Sequence, residues 1–399
     1  MSMTPDTLPP ELHVSGAASW LELNGAALRR NVGVFRQLLG PAQLGAVLKA
    51  EAYGHGLTET LPIVHPLVDA IYVITPQDGF SVRAFEASTH ERRQVVVIGA
   101  MTAAETVELA RRDVDVVFAD AGWPAAVAAL RASQLGKPAR VHVHLDTGLG
   151  REGFVAADLP SLCAGLKEAR DVVQVVGVLS HFSNTEDVTE QAYALAQVEA
   201  FETGFRFLRD ELRLPDTVQR HLAASAAAMV LPQARFEIVR VGIALYGLWP
   251  SSETRLSARL VLDRVPQLEP VLSWRCRSQA IKQLPAGAYV GYGCTYRCSQ
   301  ETRVAVLPVG YYDGYPRLLS NRGHVLVQGQ RCPVLGRVMM NHIVVDISRV
   351  QGVEGPVVAT LLGSDGSETV SADLMGEWAQ TINYEIVARL GSHLRRVVV

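Results

Sequence analysis

Cysteine is scarce in this chain of 399 residues: Cys163, Cys276, Cys294, Cys298 and Cys332 are its only five, and no two form a C-x-x-C pair. An odd count in so long a chain argues against a disulfide framework, and Cys294 with Cys298 finds no second pair at zinc spacing. The thiols read as reduced and structural. An excess of charge is also missing. The 37 Lys and Arg nearly balance the 40 Asp and Glu, leaving −3, so there is no basic stripe of the kind that nucleic acid or an anionic membrane requires. No apolar run reaches the length of a membrane span, and residues 1–19 hold no continuous apolar segment of the signal type. The expectation is a cytoplasmic protein that acts on a small molecule, with neither nucleic acid nor membrane as partner.

What is present is alternation. Hydrophobic residues make up 48% of the chain, enough for two cores at this length. Trp20-Leu21-Glu22-Leu23 alternates as a short strand, and Asn24 is placed to cap the helix that follows. Short β-branched runs then recur at Leu44–Ala50, Ala70–Thr75, Gln94–Gly99, Val114–Ala119, Arg140–Asp146, Gln174–His181, Thr217–Ala223 and Glu237–Ile243, separated by stretches with helical spacing. Strands alternating with helices imply a parallel sheet. Eight such units over about 200 residues is the count that closes a (β/α)8 TIM barrel, with an open doubly wound sheet as the rival. After Gly247 the texture changes to strand-like segments at Ser257–Val265, Val271–Leu284, Thr302–Val309, His324–Val327, Met339–Ile347 and Val357–Leu362, then a helical region opened by Ser371. The expected layout is an N-terminal extension over residues 1–19, a barrel over 20–247 and a mainly β C-terminal domain over 248–399.

Lys49 ends the first barrel run, just ahead of a turn rich in glycine. A lysine buried there would lose charge, and a neutral amine is a nucleophile suited to a Schiff base with a carbonyl compound or pyridoxal phosphate. The bland alternative is a strand-end lysine that reaches water. Barrels carry their chemistry at the C-terminal ends of the strands and commonly hold phosphate after strands seven and eight. Ser225 in Ala224-Ser225-Ala226 is placed to cap a short helix there, and Gly242 in Arg240-Val241-Gly242-Ile243 admits close backbone approach. His142, His144 and Asp146 share one strand face, which makes a metal-dependent hydrolase a rival. Such a site needs carboxylates beside its histidines, whereas the eighth strand supplies Arg240, so no metal is expected.

The motifs A-V-L-K-A-E-A-Y-G-H-G, D-T-G-L-G-R-E-G-F, L-S-H-F, A-S-A-A-A, V-R-V-G-I-A-L-Y-G, V-G-Y-G, V-G-Y-Y-D-G-Y-P-R, G-R-V-M-M-N and T-I-N-Y-E-I-V-A-R-L-G follow one another between Ala46 and Gly391, within a match that starts at about Trp20. In this order they resemble alanine racemase. The resemblance implies a pyridoxal 5'-phosphate enzyme that interconverts L- and D-alanine, active as a homodimer with shared sites, supplying D-alanine for peptidoglycan. It implies that Lys49 bonds the cofactor and serves as base on one face of the substrate, and that Tyr292 is the base on the opposite face, contributed by the partner subunit. Arg151 would meet the cofactor phenolic oxygen and the substrate carboxylate. Arg240 would face the pyridine nitrogen, and His181 would link it to the tyrosine. Tyr53, Ser225, Gly242, Ile243 and Tyr384 would contact the phosphate, and Tyr311 and Met340 would line the substrate site.

Two positions depart from the pattern. His144 stands seven residues before Arg151, where the family often has a lysine that becomes carbamylated, and Asn341 stands where an aspartate is common. Histidine forms no such stable carbamate, so a bound anion such as chloride, or a nearby carboxylate, is expected to balance Arg151. Three relatives in chemistry stay in view. A basic-amino-acid decarboxylase shares the layout but is expected to place an acid at the pyridine nitrogen; a single-barrel cofactor carrier needs neither Tyr292 nor a second domain. A broad-specificity racemase differs only in the width of its entrance.

Overall fold

The computed structural model describes residues 18–188 and 190–399, so the expected extension over 1–19 lies outside the described residues except for its last two. The chain divides into two compact units, one of Leu28–Ala50 with Leu61–Glu269, the other of residues up to Ala27 with Glu51–Thr60 and Pro270–Val399.

Ser19–Leu23 is β1. The first unit carries Gln43–Val47 (β2), Ala70–Val73 (β3), Gln94–Val97 (β4), Asp115–Phe118 (β5), Ala139–His144 (β6), Val173–Leu179 (β7), Gln219–His221 (β8) and Ile238–Val241 (β9). These eight strands form one sheet in the order β8-β7-β6-β5-β4-β3-β2-β9, and every ladder in it is parallel. The two ends approach each other where the Arg240 N–H donates to the Ala223 carbonyl at 3.1 Å, and the result is a nearly closed barrel with helical crossovers. Strands covered on both faces must be apolar throughout, and Ala70–Val73 is buried at every position. The crossover helices have local start signals: Thr75 with Asp78, and Thr102 with Glu105, form capping boxes ahead of Pro76–Thr89 and Ala103–Arg111.

One element differs in kind from its sequence pattern. Ser257–Val265 reads as a strand because of its Leu and Val content, but Ser252–Val261 is a helix whose Ser251 cap accepts from the Thr254 N–H at 3.0 Å. Its buried positions, Thr254, Ser257 and Ala258, fall three and four apart, so helical burial and the cap outweigh β propensity.

The second unit holds Leu272–Arg277 (β10), Ala280–Leu284 (β11), Tyr289–Val290 (β12), Tyr296–Arg297 (β13), Thr302–Leu307 (β14), His324–Val327 (β15), Gln330–Pro333 (β16), Ile343–Asp346 (β17), Val358–Asp365 (β18), Glu368–Val370 (β19) and Arg395–Val398 (β20). Its main sheet runs β16-β15-β18-β10-β1-β20, with β19 also on β18; β11-β14-β17 and β12-β13 form two smaller sheets. The early strand β1 therefore belongs to this sheet, antiparallel to β10 and parallel to β20. Asn24 then caps the next helix as its sequence position indicates, its Oδ1 accepting from the Ala27 N–H at 2.9 Å. Ser371 does the same for Ala372–Ala379.

Candidate active site

The chain contains four lysines. Lys137 and Lys167 sit in exposed ion pairs and Lys282 is exposed, whereas Lys49 is half-buried. Its position is set by β2: the Leu48 N–H donates to the Tyr72 carbonyl at 2.8 Å, and the Tyr246 hydroxyl to the Val47 carbonyl at 3.2 Å. Burial lowers the pKa of the Lys49 amine, and the charges of Arg151 and Arg240 lower it further against an opposing pull from Glu152.

Lys49 does not end a strand. It opens a single turn, Lys49–Tyr53, in which Ala50, Glu51, Ala52 and Tyr53 have φ of 52°, 54°, 51° and 56°. This is left-handed helix, which costs an L residue about 1–2 kcal/mol each, and strain of that kind persists where the surroundings over-determine it. In the second unit the buried His55 Nδ1 lies 3.1 Å and 3.0 Å from the Ala52 and Tyr53 carbonyls, so it donates to both. The Gly56 N–H donates to the Glu51 carbonyl at 2.8 Å, and Arg396 Nη2 to the Gly54 carbonyl at 2.9 Å. Burial holds His55 neutral, with its pKa lowered to about 4. Tyr53 is buried with its ring 6.2 Å from that of Tyr384.

Arg240 on β9 is 4% exposed. Its Nη1 donates to the His221 carbonyl and to His221 Nδ1 at 3.2 Å, and its Nη2 to the Ser180 carbonyl at 2.7 Å and His181 Nδ1 at 3.3 Å. No protein acceptor meets its Nε–H among the described residues. Burial lowers its pKa to about 10, with Arg151 adding to the shift, so it remains a cation at neutral pH. His181 must accept through Nδ1 and so carries its hydrogen on Nε2. Burial first, and then the charges of Arg240, Arg151 and Lys49, lower its pKa to about 3.

The histidines that suggested a metal are used differently. His142 Nδ1 lies 2.9 Å from His221 Nε2, and His142 Nε2 lies 3.2 Å from Asp115 Oδ2. Gly177 on β7 leaves room for this arrangement, since a Cβ there would stand 2.0 Å from His142 Nδ1. Asp115 also accepts from Arg140 Nε at 2.7 Å and Gln94 Nε2 at 2.9 Å. Burial raises the Asp115 pKa, but the bonds from His142 and Arg140 outweigh it and keep the carboxylate ionised. Asp115 was not evident from sequence as a site residue; the signal was the H-x-H alternation, which puts a buried imidazole opposite a buried acid.

Ser225 is the first residue of the helix Ser225–Val230 rather than its cap. Its hydroxyl oxygen accepts from the Gly242 N–H at 2.9 Å, tying together the chain after β8 and after β9. Ile243 is buried beside it. Arg151 is exposed in the loop after β6, its Nε and Nη2 both on the Glu152 carboxylate.

In the second unit Tyr292, Tyr311 and Met340 are 71%, 44% and 54% exposed. The Tyr311 and Tyr312 N–H groups donate to the Met339 and Met340 carbonyls, both at 3.0 Å, which brings Tyr311 and Met340 onto adjoining segments. Asn341 is exposed next to them.

Comparison with known proteins agrees over nearly the full length. Residues 23–250 match the family model described as alanine racemase, N-terminal domain, and residues 271–398 match the alanine racemase C-terminal domain. An alanine racemase of Leptospira interrogans is 36% identical over 386 residues, covering 96% of each chain, and one of Methanococcus maripaludis is 30% identical over 95% of this chain and 98% of its own. Among solved structures, the alanine racemase of Streptomyces lavendulae has a TM-score of 0.86 at 31% identity, covering 96% of this chain and 97% of its own. The alanine racemase of Bacillus anthracis with bound L-Ala-P has a TM-score of 0.84 at 28% identity, covering 96% and 95%.

Proposed function

The chain belongs to the alanine racemase family of isomerases, and from that premise we propose that it interconverts L-alanine and D-alanine with pyridoxal 5'-phosphate as cofactor. The observation that carries the reading is the Lys49 amine, its pKa lowered by burial and by Arg151 and Arg240. The donor set suits such a cofactor. One amine and two guanidinium groups against the single carboxylate of Glu152 leave positive charge for a phosphate, a phenolic oxygen and a substrate carboxylate. Lys49 would bond the cofactor; Ser225, Gly242 and Ile243 would share in holding its phosphate, and the resemblance adds Tyr53 and Tyr384. When bound, the cofactor supplies the carbonyl that ties the substrate amine and the ring that draws electrons from the α-carbon.

The chain's own groups divide the remaining work. Racemisation takes the α-proton from one face and returns one to the other, so two acid–base groups must flank the α-carbon. Lys49 serves one face and Tyr292 of the partner subunit the other, in a homodimer whose sites are shared. Exposure of Tyr292, Tyr311 and Met340 suits residues presented to a second copy. Arg240, through its uncommitted Nε–H, would donate to the pyridine nitrogen; a guanidinium cannot accept there, so that nitrogen stays unprotonated and electron withdrawal is moderated. His181, held by Arg240 on Nδ1, would donate its Nε2–H to the tyrosine oxygen. Arg151 would bind the substrate carboxylate. The proposed role is supply of D-alanine to peptidoglycan in the cytoplasm.

The test is incubation of the holoenzyme with L-alanine and separation of the enantiomers. D-alanine is expected. Its absence would sink the reading, and carbon dioxide release instead would mark a decarboxylase.

A further inference from the structure

The loop after β6 is built to place two side chains. At its end the Gly153 N–H donates to the Ala119 carbonyl at 2.9 Å, the Phe154 N–H to the His144 carbonyl at 2.8 Å and the Asp146 N–H to the Phe154 carbonyl at 3.0 Å. At its start the Asp146 carboxylate accepts from the Gly148 and Gly150 N–H groups at 2.9 Å and 3.1 Å. Gly153 has φ of +120°, and a Cβ on it would stand 2.5 Å from Asp146 N, so only glycine lets the chain return this closely. Arg151 and Glu152 lie between these clamps. The Glu152 carboxylate takes one edge of the guanidinium, Nε and Nη2, the latter at 2.6 Å. Arg151 Nη1 has no protein acceptor among the described residues.

Both charges of this pair act on the Lys49 amine. Of the charges that act on Lys49, Arg151 and Arg240 are cations and Glu152 is the anion, and Glu152 acts in the same sense on His144. His144 itself brings no charge to offset Arg151: it is buried, its pKa lowered by burial to about 4, and its Nδ1 is unbonded, 3.8 Å from Glu152 Oε1. The arginine is therefore balanced by its chain neighbour. A carboxylate that grips the Nε edge leaves the Nη1 edge for a second carboxylate, since the guanidinium fork offers donors in fixed directions.

We propose that Glu152 is a positioning residue, holding Arg151 by its Nε edge so that the Nη1 edge meets the substrate carboxylate, and that this built-in anion makes the site independent of carbon dioxide and of chloride. The inference rests on the racemase reading. It places in the chain itself the negative charge that a carbamylated lysine carries in many relatives.

The experiment compares holoenzymes of the wild type, Glu152→Gln, Glu152→Ala and Glu152→Asp. Wild-type racemisation is expected to be unchanged in buffers freed of bicarbonate and chloride, and its intact mass to show no carbamate. Glu152→Gln and Glu152→Ala are expected to lose about 10- to 100-fold in kcat/KM in both directions, as loosened positioning groups do, while Glu152→Asp recovers part of the loss. Formate should restore activity to Glu152→Ala, where it fills the vacated edge, yet inhibit the wild type by competing with substrate. Calorimetry with acetate should find one additional binding event in Glu152→Ala. Loss of wild-type activity on removal of bicarbonate or chloride, or unchanged kinetics in Glu152→Gln with no added acetate site in Glu152→Ala, overturns the proposal. If the wild type does not racemise alanine, the racemase reading fails, and the acetate titration still decides whether Glu152 occupies an anion position on Arg151.

Discussion

Asp115 and Arg240 stand at opposite ends of one directed chain of hydrogen bonds through the barrel interior. Arg240 can only donate and ionised Asp115 can only accept, so each imidazole between them has one tautomer. Arg240 Nη1 gives to His221 Nδ1 at 3.2 Å, His221 Nε2 to His142 Nδ1 at 2.9 Å, and His142 Nε2 to Asp115 Oδ2 at 3.2 Å. Both imidazoles sit in the core, and burial puts the His221 pKa well below its usual value. The acid at the far end thus fixes how Arg240 is held, through His142 on its own side and His221 on the arginine's side.

Asp115→Asn should disturb this chain at its anchor. An amide can donate as well as accept, so the His142 and His221 tautomers lose their single direction and a buried polar group is left poorly matched, a defect worth about 1–3 kcal/mol. A lower denaturation midpoint, with a changed absorbance of the bound cofactor because Arg240 shifts, is the expected result. An unchanged spectrum together with unchanged racemisation would mean that the anchor does not reach Arg240.

Lys49→Ala removes the amine. Borohydride treatment of the wild-type holoenzyme should fix the cofactor to the peptide that contains Lys49, and the variant should take up none. Peptide mass analysis reads this directly, and labelling of Lys137, Lys167 or Lys282 instead would move the site.

Tyr292→Phe should slow L-to-D and D-to-L conversion alike while borohydride still fixes the cofactor at Lys49. Mixing Lys49→Ala with Tyr292→Phe chains under conditions of exchange should regenerate roughly a quarter of wild-type activity, since half the dimers are mixed and each holds one intact site if sites are shared across a two-fold interface. No regeneration would place both groups in one chain.

Acid should destabilise the protein earlier than its carboxylates alone would. His55 and His144 have pKa values of about 4 and His181 of about 3, each lowered first by burial from 6.5. Below about pH 6.5 the unfolded chain binds protons that the folded chain refuses, so stability is full above that pH and is lost as pH falls towards 4. Each such histidine adds a slope of up to about 1.4 kcal/mol per pH unit. Denaturant midpoints should stay level from pH 8 to about pH 6.5 and fall from there to pH 4; a flat profile down to pH 5 would contradict the burial of these rings.

Much of this was legible in the chain because burial is periodic. The eight runs from Leu44 to Ile243 read as strands since a strand covered on both faces must be apolar along its length, and the caps at Asn24 and Ser371 are local chemistry. The Leu and Val content of Ser257–Val265 fits a strand as well as a helix, and the Ser251 cap with the burial of Thr254, Ser257 and Ala258 separates the two. Ser225 misled in a subtler way: the residue is where a cap belongs, but its oxygen is taken by Gly242 from the neighbouring strand end.

The sequence by itself determined the family, the barrel with its β partner domain, and the set of chemical groups, because repeat length, residue type and motif order are all written along one dimension. Tertiary structure decided the rest. No property of Ala50, Glu51, Ala52 or Tyr53 calls for a left-handed turn; the buried ring of His55 just beyond it and, from far along the chain, Arg396 on the Gly54 carbonyl hold it. The direction of the chain from Arg240 to Asp115 exists only because β5, β6, β8 and β9 bring four residues together inside a barrel. Glu152 is only the chain neighbour of Arg151 until the return of the loop onto Ala119 and His144 fixes the pair where both charges act on Lys49. Each of these depends on contacts between residues far apart in the chain, and a linear pattern carries no record of them.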